Sequence, residues 1–146
     1  MLTKESHIST KTSKESLQDI FGDLLKDVFW SENHLIKTLP KMAKASYNEL
    51  LQNAFDGQLE QTGVQLIRLE NCFELSAIKA AGKQCWAMEG LAGEGLAMIE
   101  NYHRGHARDA GLIAAAQKIE HYKISAYGTL RTMAEILGLM PCARLL

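Results

Sequence analysis

Glu32, Glu60, Glu94 and Glu120 stand out among the side chains able to do chemistry, because each falls on or beside an apolar stripe at helical spacing. Glu32 follows Val28 by four residues and precedes Leu35 by three, which places it on the buried side of its helix. Glu120 recurs at helical spacing with Ile113, Ala116 and Tyr127, and is expected to face inward too. Glu60 shares a second apolar flank with Val64 and Ile67, and Glu94 lies between Leu91 and Met98. A carboxylate taken out of water must be protonated, paired with a cation or bound to a metal. One inward acid from each of several helices is how bundles build carboxylate sites for metals. The plainer reading of any single glutamate is an acid at the edge of a stripe that stays solvated.

Other candidates lead away from catalysis. His121 follows Glu120 directly and projects ~100° away around a helix. His34 is two residues from Glu32, a poor angle for a shared ion, and His103 and His106 fall in an expected loop. All four read as surface polar residues. Tyr122 and Tyr127 read as packed aromatics with hydrogen-bonded hydroxyls. Cys72 and Cys85 flank the turn between the second and third helices and read as buried free thiols. No GxGxxG, P-loop, GxSxG or HExxH pattern occurs, so nucleotide binding and hydrolysis have no support and no enzymatic activity is expected.

The elements that must position the glutamates follow from periodicity. Residues 1–12 are polar and aperiodic, expected as a flexible arm, and residues 13–146 as the folded helical domain. Thr12 and Glu15 fit a capping box, so the first helix should start there. Its stripe runs through Leu17, Phe21, Leu25, Val28, Leu35 and Leu39, loosens at Pro40 and ends near Ala45. A second capping box, Ser46 with Glu49, predicts a helix from Tyr47 to Leu75 carrying Phe55, Leu66, Leu69 and Phe73. SAIKAAG, ending at Gly82, reads as a turn. A third helix over 83–102 should be short or irregular, since Gly90, Gly93 and Gly95 each cost about 1 kcal/mol in a helix interior. HRGHA reads as a loop, and a fourth helix spans 109–137, closed by Gly138 and Pro141.

The 146 residues are 47% apolar and 23% charged with a net charge of -1, which suits one globular domain and gives no field for nucleic acid or an anionic membrane. Three scattered cysteines argue against a disulfide scaffold or a zinc site. With no signal peptide and no membrane-length apolar run, the expected setting is the cytoplasm.

Several stretches carry a family resemblance: DLLKDVFWSENHLIKTLPKMAKAS, QLEQTGVQLIRLENCFE, CWAMEGLAGEG and DAGLIAAAQKIEHYKISAYGTLRTMAEILG. From about Ile20 onward the sequence resembles the YciE/YciF group of bacterial ferritin-like stress proteins. The resemblance implies an all-α, ferritin-like antiparallel helical bundle, usually dimeric, with the family's final long helix lacking here. It makes Glu32 the acid of the first helix, Glu60 the opening of an E-x-x-H motif and Glu120 the opening of an E-x-x-E motif. At the implied histidine this chain has Gly63, and at the second acid it has Lys123, in EHYK. Lys123 lies one helical turn from Glu120 and could supply part of a metal's charge itself.

Three readings follow. The first is a bacterial stress-response protein of this type with a degenerate metal site and a structural or interaction role, as a homodimer or larger homo-oligomer, its missing helix leaving an apolar groove. The second is a carboxylate-bridged iron- or manganese-binding protein in oxidative-stress defence, using Glu32, Glu60, Glu94 and Glu120. The third is a fragment of a longer gene product. The first ranks ahead, because Gly63 and Lys123 both damage the metal site.

Overall fold

The computed structural model describes residues 16–146, which are all-α: α1 (Leu17–Ala45), α2 (Glu49–Leu75), α3 (Trp86–Asn101), α4 (His106–Ile136) and α5 (Met140–Leu145). The expected arm over residues 1–12 and the Thr12–Glu15 cap lie outside the described residues. The described part of α1 opens at a capping box formed by Ser16 and Asp19. The Ser16 hydroxyl accepts from the Asp19 N–H at 3.2 Å, and the Asp19 carboxylate accepts from the Ser16 N–H at 3.2 Å. α1 then runs through Pro40 to Ala45 as a single helix, with Pro40 on its exposed side.

The α1–α2 turn corrects the second expected cap. Ser46 does not start α2; its hydroxyl turns back and donates to the Met42 carbonyl at 2.8 Å, closing α1. Asn48 caps α2 by accepting the Leu50 N–H at 2.8 Å. The turn is clamped from α4 and its approach. Asp109 accepts the N–H groups of Tyr47 and Asn48, both at 2.8 Å, while Arg104 donates to the Ser46 carbonyl at 3.0 Å. HRGHA is therefore only partly a loop, since α4 already begins at His106.

α2 and α4 end in the same way. Ala77 has φ 54°, its N–H donates to the Glu74 carbonyl at 3.2 Å, and the Ile78 N–H reaches the Phe73 carbonyl at 3.0 Å. Gly138, at φ 75°, does the same after α4, with the Leu139 N–H donating to the Ala134 carbonyl at 2.8 Å. α3 is a regular helix of 16 residues rather than an irregular one. Gly95 lets it approach α1: a Cβ there would stand 3.1 Å from Met42 Cε.

Two apolar clusters form the core. Phe21, Leu25, Val28, Leu69, Phe73 and Leu130 belong to one. Leu35, Leu39, Met42, Phe55, Leu112 and Ile119 belong to the other. On α1, α2 and α4 alike, a buried polar residue stands in sequence between the two clusters: Glu32, Thr62 and Lys123 respectively. A polar layer thus divides the apolar interior. The outer flank of α2 is less covered than its spacing suggests, with Val64 48% and Ile67 60% exposed. No helix among the described residues is long and apolar enough to cross a membrane.

Candidate functional site

The polar layer centres on Glu32. Its position on the α1 stripe buries it to 1% exposure, among side chains that cannot solvate it. Two groups from α4 answer the charge. Lys123 Nζ lies 3.3 Å from Glu32 Oε1, and the Tyr127 hydroxyl donates to the same oxygen at 2.7 Å. Lys123 and Tyr127 are four residues apart, on one face of α4, so a single helix presents both a cation and a neutral donor. Glu32 Oε2 is buried without a hydrogen-bond partner.

Burial raises the Glu32 carboxyl above the ordinary range, against the opposing pull of Lys123 and of the Tyr127 hydroxyl. Burial also raises the Tyr127 phenol, and the neighbouring Glu32 charge adds to it, which keeps the hydroxyl a proton donor. The result is a buried ion pair with one further hydrogen bond, in which an ammonium does what a metal ion would otherwise do for a buried carboxylate.

The four glutamates do not converge. Glu120 approaches the same ammonium, with Oε1 3.9 Å from Lys123 Nζ, but its side chain is 43% exposed. Glu94 forms a surface pair with Lys118 at 2.8 Å, joining α3 to α4. Glu60 is exposed on the outer flank of α2, beside Val64 and Arg68. Gly63 has open space around its Cβ position and offers no ligand. These side chains do not fit a shared ion: two of the acids point elsewhere, and an ammonium stands against the third. Among the described residues no group of three or more His, Cys, Asp or Glu side chains is placed to hold a metal.

Tyr127 is the residue that spacing alone underused. The signal was present in Glu120, Lys123 and Tyr127, which follow one another at three- and four-residue steps. Their partner on α1 was not visible, because no pattern within one helix says which residue of another it faces. The histidines stay peripheral: His34 stacks on Trp30 with ring centroids 4.7 Å apart, and His121 meets only the Gln117 carbonyl of its own helix, at 2.8 Å. Cys72 approaches Cys142 of α5 rather than Cys85, its thiol donating to the Cys142 carbonyl at 3.5 Å.

Between α2 and α4 runs a groove of about 380 Å³, lined by Leu51, Phe55, Ile113, Ala116 and Ile124. Ile113 and Ile124 are 44% and 69% exposed on its rim. α5 sits at one end of this side of the molecule, touching both α2 and α4.

Comparison with known proteins agrees with this architecture. Residues 16–146 match a family described as a domain of unknown function, DUF892. The chain is 44% identical over 133 residues to protein YciF of Escherichia coli strain K12, covering 90% of this chain and 80% of that protein. The crystal structure of the E. coli stress protein YciF superimposes with a TM-score of 0.86, covering 90% of this chain and 83% of that one. YcfI, a putative structural protein from Rhodopseudomonas palustris, superimposes with a TM-score of 0.88 at 32% identity, covering 92% and 86% of the two chains.

Proposed function

Because the chain belongs to the DUF892 family and has the helical fold of YciF, we propose that it is a ferritin-like stress-response protein of the YciF type that acts by assembly rather than by catalysis. In this reading the carboxylate at the centre of the bundle is neutralised internally and binds no metal. The observation that carries it is Lys123 Nζ 3.3 Å from a Glu32 that is only 1% exposed. An incoming divalent ion would have to displace or deprotonate that ammonium, against a repulsion of several kcal/mol at low effective dielectric. A relative of the same fold, YcfI, is itself a putative structural protein. The groove between α2 and α4, with Ile113 and Ile124 exposed on its rim, supplies the apolar face for a second copy of the chain.

The alternative, a carboxylate-bridged iron or manganese protein in oxidative-stress defence, rests on Glu32 Oε2, the buried oxygen that lacks a partner. Elemental analysis after aerobic purification, with the solution mass measured on the same material, separates the two. A defined dimer or larger oligomer with only trace iron and manganese is the expected result. About two metal ions per chain, the loading of a complete carboxylate bundle, would overturn the proposal. The double variant Lys123→Glu, Gly63→His tests the same point from the other side and is expected to gain metal affinity.

A further inference from the structure

A second polar site lies away from Glu32. Between α1 and α4, beneath the linker formed by residues 76–85, is an open cavity of about 560 Å³. Leu24 and Val28 of α1 and Ala126 of α4 give it apolar walls, and Trp86, 76% exposed, stands at its rim. The frame around it is tied down. The Lys83 N–H donates to the Lys26 carbonyl at 3.1 Å, and Gly82 packs against Trp30 so closely that a Cβ would lie 3.3 Å from that side chain. On α4 the Tyr122 hydroxyl is 3.1 Å from Cys85 Sγ and 3.5 Å from the Ser31 hydroxyl. A concave, mostly apolar space with a few fixed polar groups is the usual form of a small-molecule site.

The charge in the cavity selects what enters. Asp27 lines it, and its Oδ1 is buried without a hydrogen-bond partner. Lys83 also lines it, but its ammonium is 3.8 Å from Asp23, and its side chain is 55% exposed. With the Lys83 ammonium beside Asp23, Asp27 is the carboxylate that lines the cavity. Burial raises the Asp27 carboxyl, with Asp23 adding to the effect and Lys83 opposing it. A half-sheltered carboxylate of this kind gains most from a cation that brings its own hydrogen-bond donors. An open indole face beside it suits the same cation or the ring attached to it.

We propose that this cavity is a binding site for a small organic amine, with the ammonium on Asp27 and an apolar or aromatic body between the α1 and α4 walls, under Trp86. An inorganic cation would leave the apolar walls unused. A carboxylate of the same shape would meet the like charge of Asp27.

The test is calorimetric titration of the whole chain with 2-phenylethylamine and with 3-phenylpropionate, which carries opposite charge on the same ring and linker. The amine is expected to bind saturably, and the acid at least about tenfold more weakly. Asp27→Asn should weaken amine binding by at least about tenfold, and Ala126→Trp should abolish it by filling the space. Each variant is checked for native helicity first. If either fails to fold, the indole N–H resonances of wild-type protein decide, because the chain has only two tryptophans. A shift of the Trp86 signal larger than that of Trp30 supports the site. No saturable binding at millimolar amine, equal binding of amine and acid, retention of affinity in Asp27→Asn, or a shift confined to Trp30 would each overturn it.

Discussion

Replacing Lys123 with methionine keeps most of the apolar stem and removes the charge that answers Glu32. The loss falls on Glu32 rather than on Glu120, since the Glu120 side chain is 43% exposed and water can solvate it, whereas Glu32 is sealed at 1%. Removing one partner of a buried pair costs about 3–5 kcal/mol, because the other charge is left uncompensated. For a domain of this size that corresponds to a fall in melting temperature of roughly 10–20 °C. Thermal and urea unfolding followed by circular dichroism at neutral pH reads this directly.

The pH dependence adds a signature that simple loss of packing would not produce. Burial already raises the Glu32 carboxyl in the folded protein. The native state therefore keeps a proton that the unfolded chain has released, and this group's contribution to stability falls as pH rises from the unfolded value through the native one. Lys123 holds that rise in check. Without it the native value climbs, so the variant should lie closest to wild type in acid and furthest below it at higher pH. The double variant Glu32→Gln, Lys123→Met removes both charges at similar volume and should recover most of the loss. A deficit below about 1 kcal/mol, the worth of a surface pair, or a deficit that does not change with pH, would refute the argument that Lys123 is the counter-ion of a buried carboxylate.

Two further outcomes test the packing of α2. Leu69, fully buried, should cost about 2–5 kcal/mol on truncation to alanine, whereas Leu66, only partly buried and outside both clusters, should cost well under half as much in the same urea melts. Ala77→Gly should stabilise by about 0.5–1 kcal/mol, because Ala77 holds φ 54° in a helix-ending position that glycine fills without steric cost; a destabilised variant would show that the turn does not depend on that conformation.

Helix periodicity made most of the fold legible, and its misses share a physical origin. The C-terminal end of α2 and the identity of four long elements follow from stripes and breakers that act within a few residues. The start of α2 shifted because several side chains near it could cap, and the winner depends on partners elsewhere. Ser46 loses to Asn48 because Asp109, about 60 residues away in sequence, takes the N–H groups of Tyr47 and Asn48. α5 was missed because six residues, one of them proline, carry too little periodicity to register. The cover of the Val64 and Ile67 flank and of Ile113 was overcalled for another reason: an apolar stripe states that a face prefers cover, not that the chain itself supplies it.

Glu32 was legible as buried, and Lys123 as a cation near carboxylates. What no single helix could show is that Lys123 meets Glu32 more closely than its own neighbour Glu120, at 3.3 Å against 3.9 Å. That pairing changes how the departures from the family pattern are weighed. Read along the sequence, Gly63 and Lys123 are two separate injuries to a metal site. On the proposed reading they belong together: with an ammonium neutralising Glu32, a ligand at position 63 would have no ion to hold, and nothing lies within 4 Å of a Cβ placed at Gly63. The acids behave accordingly, since Glu60 lies on the outer surface and Glu94 is spent on Lys118. The proposed structural polar layer asks for this arrangement, a Glu32 that is 1% exposed with a cation of its own chain, Lys123, 3.3 Å away.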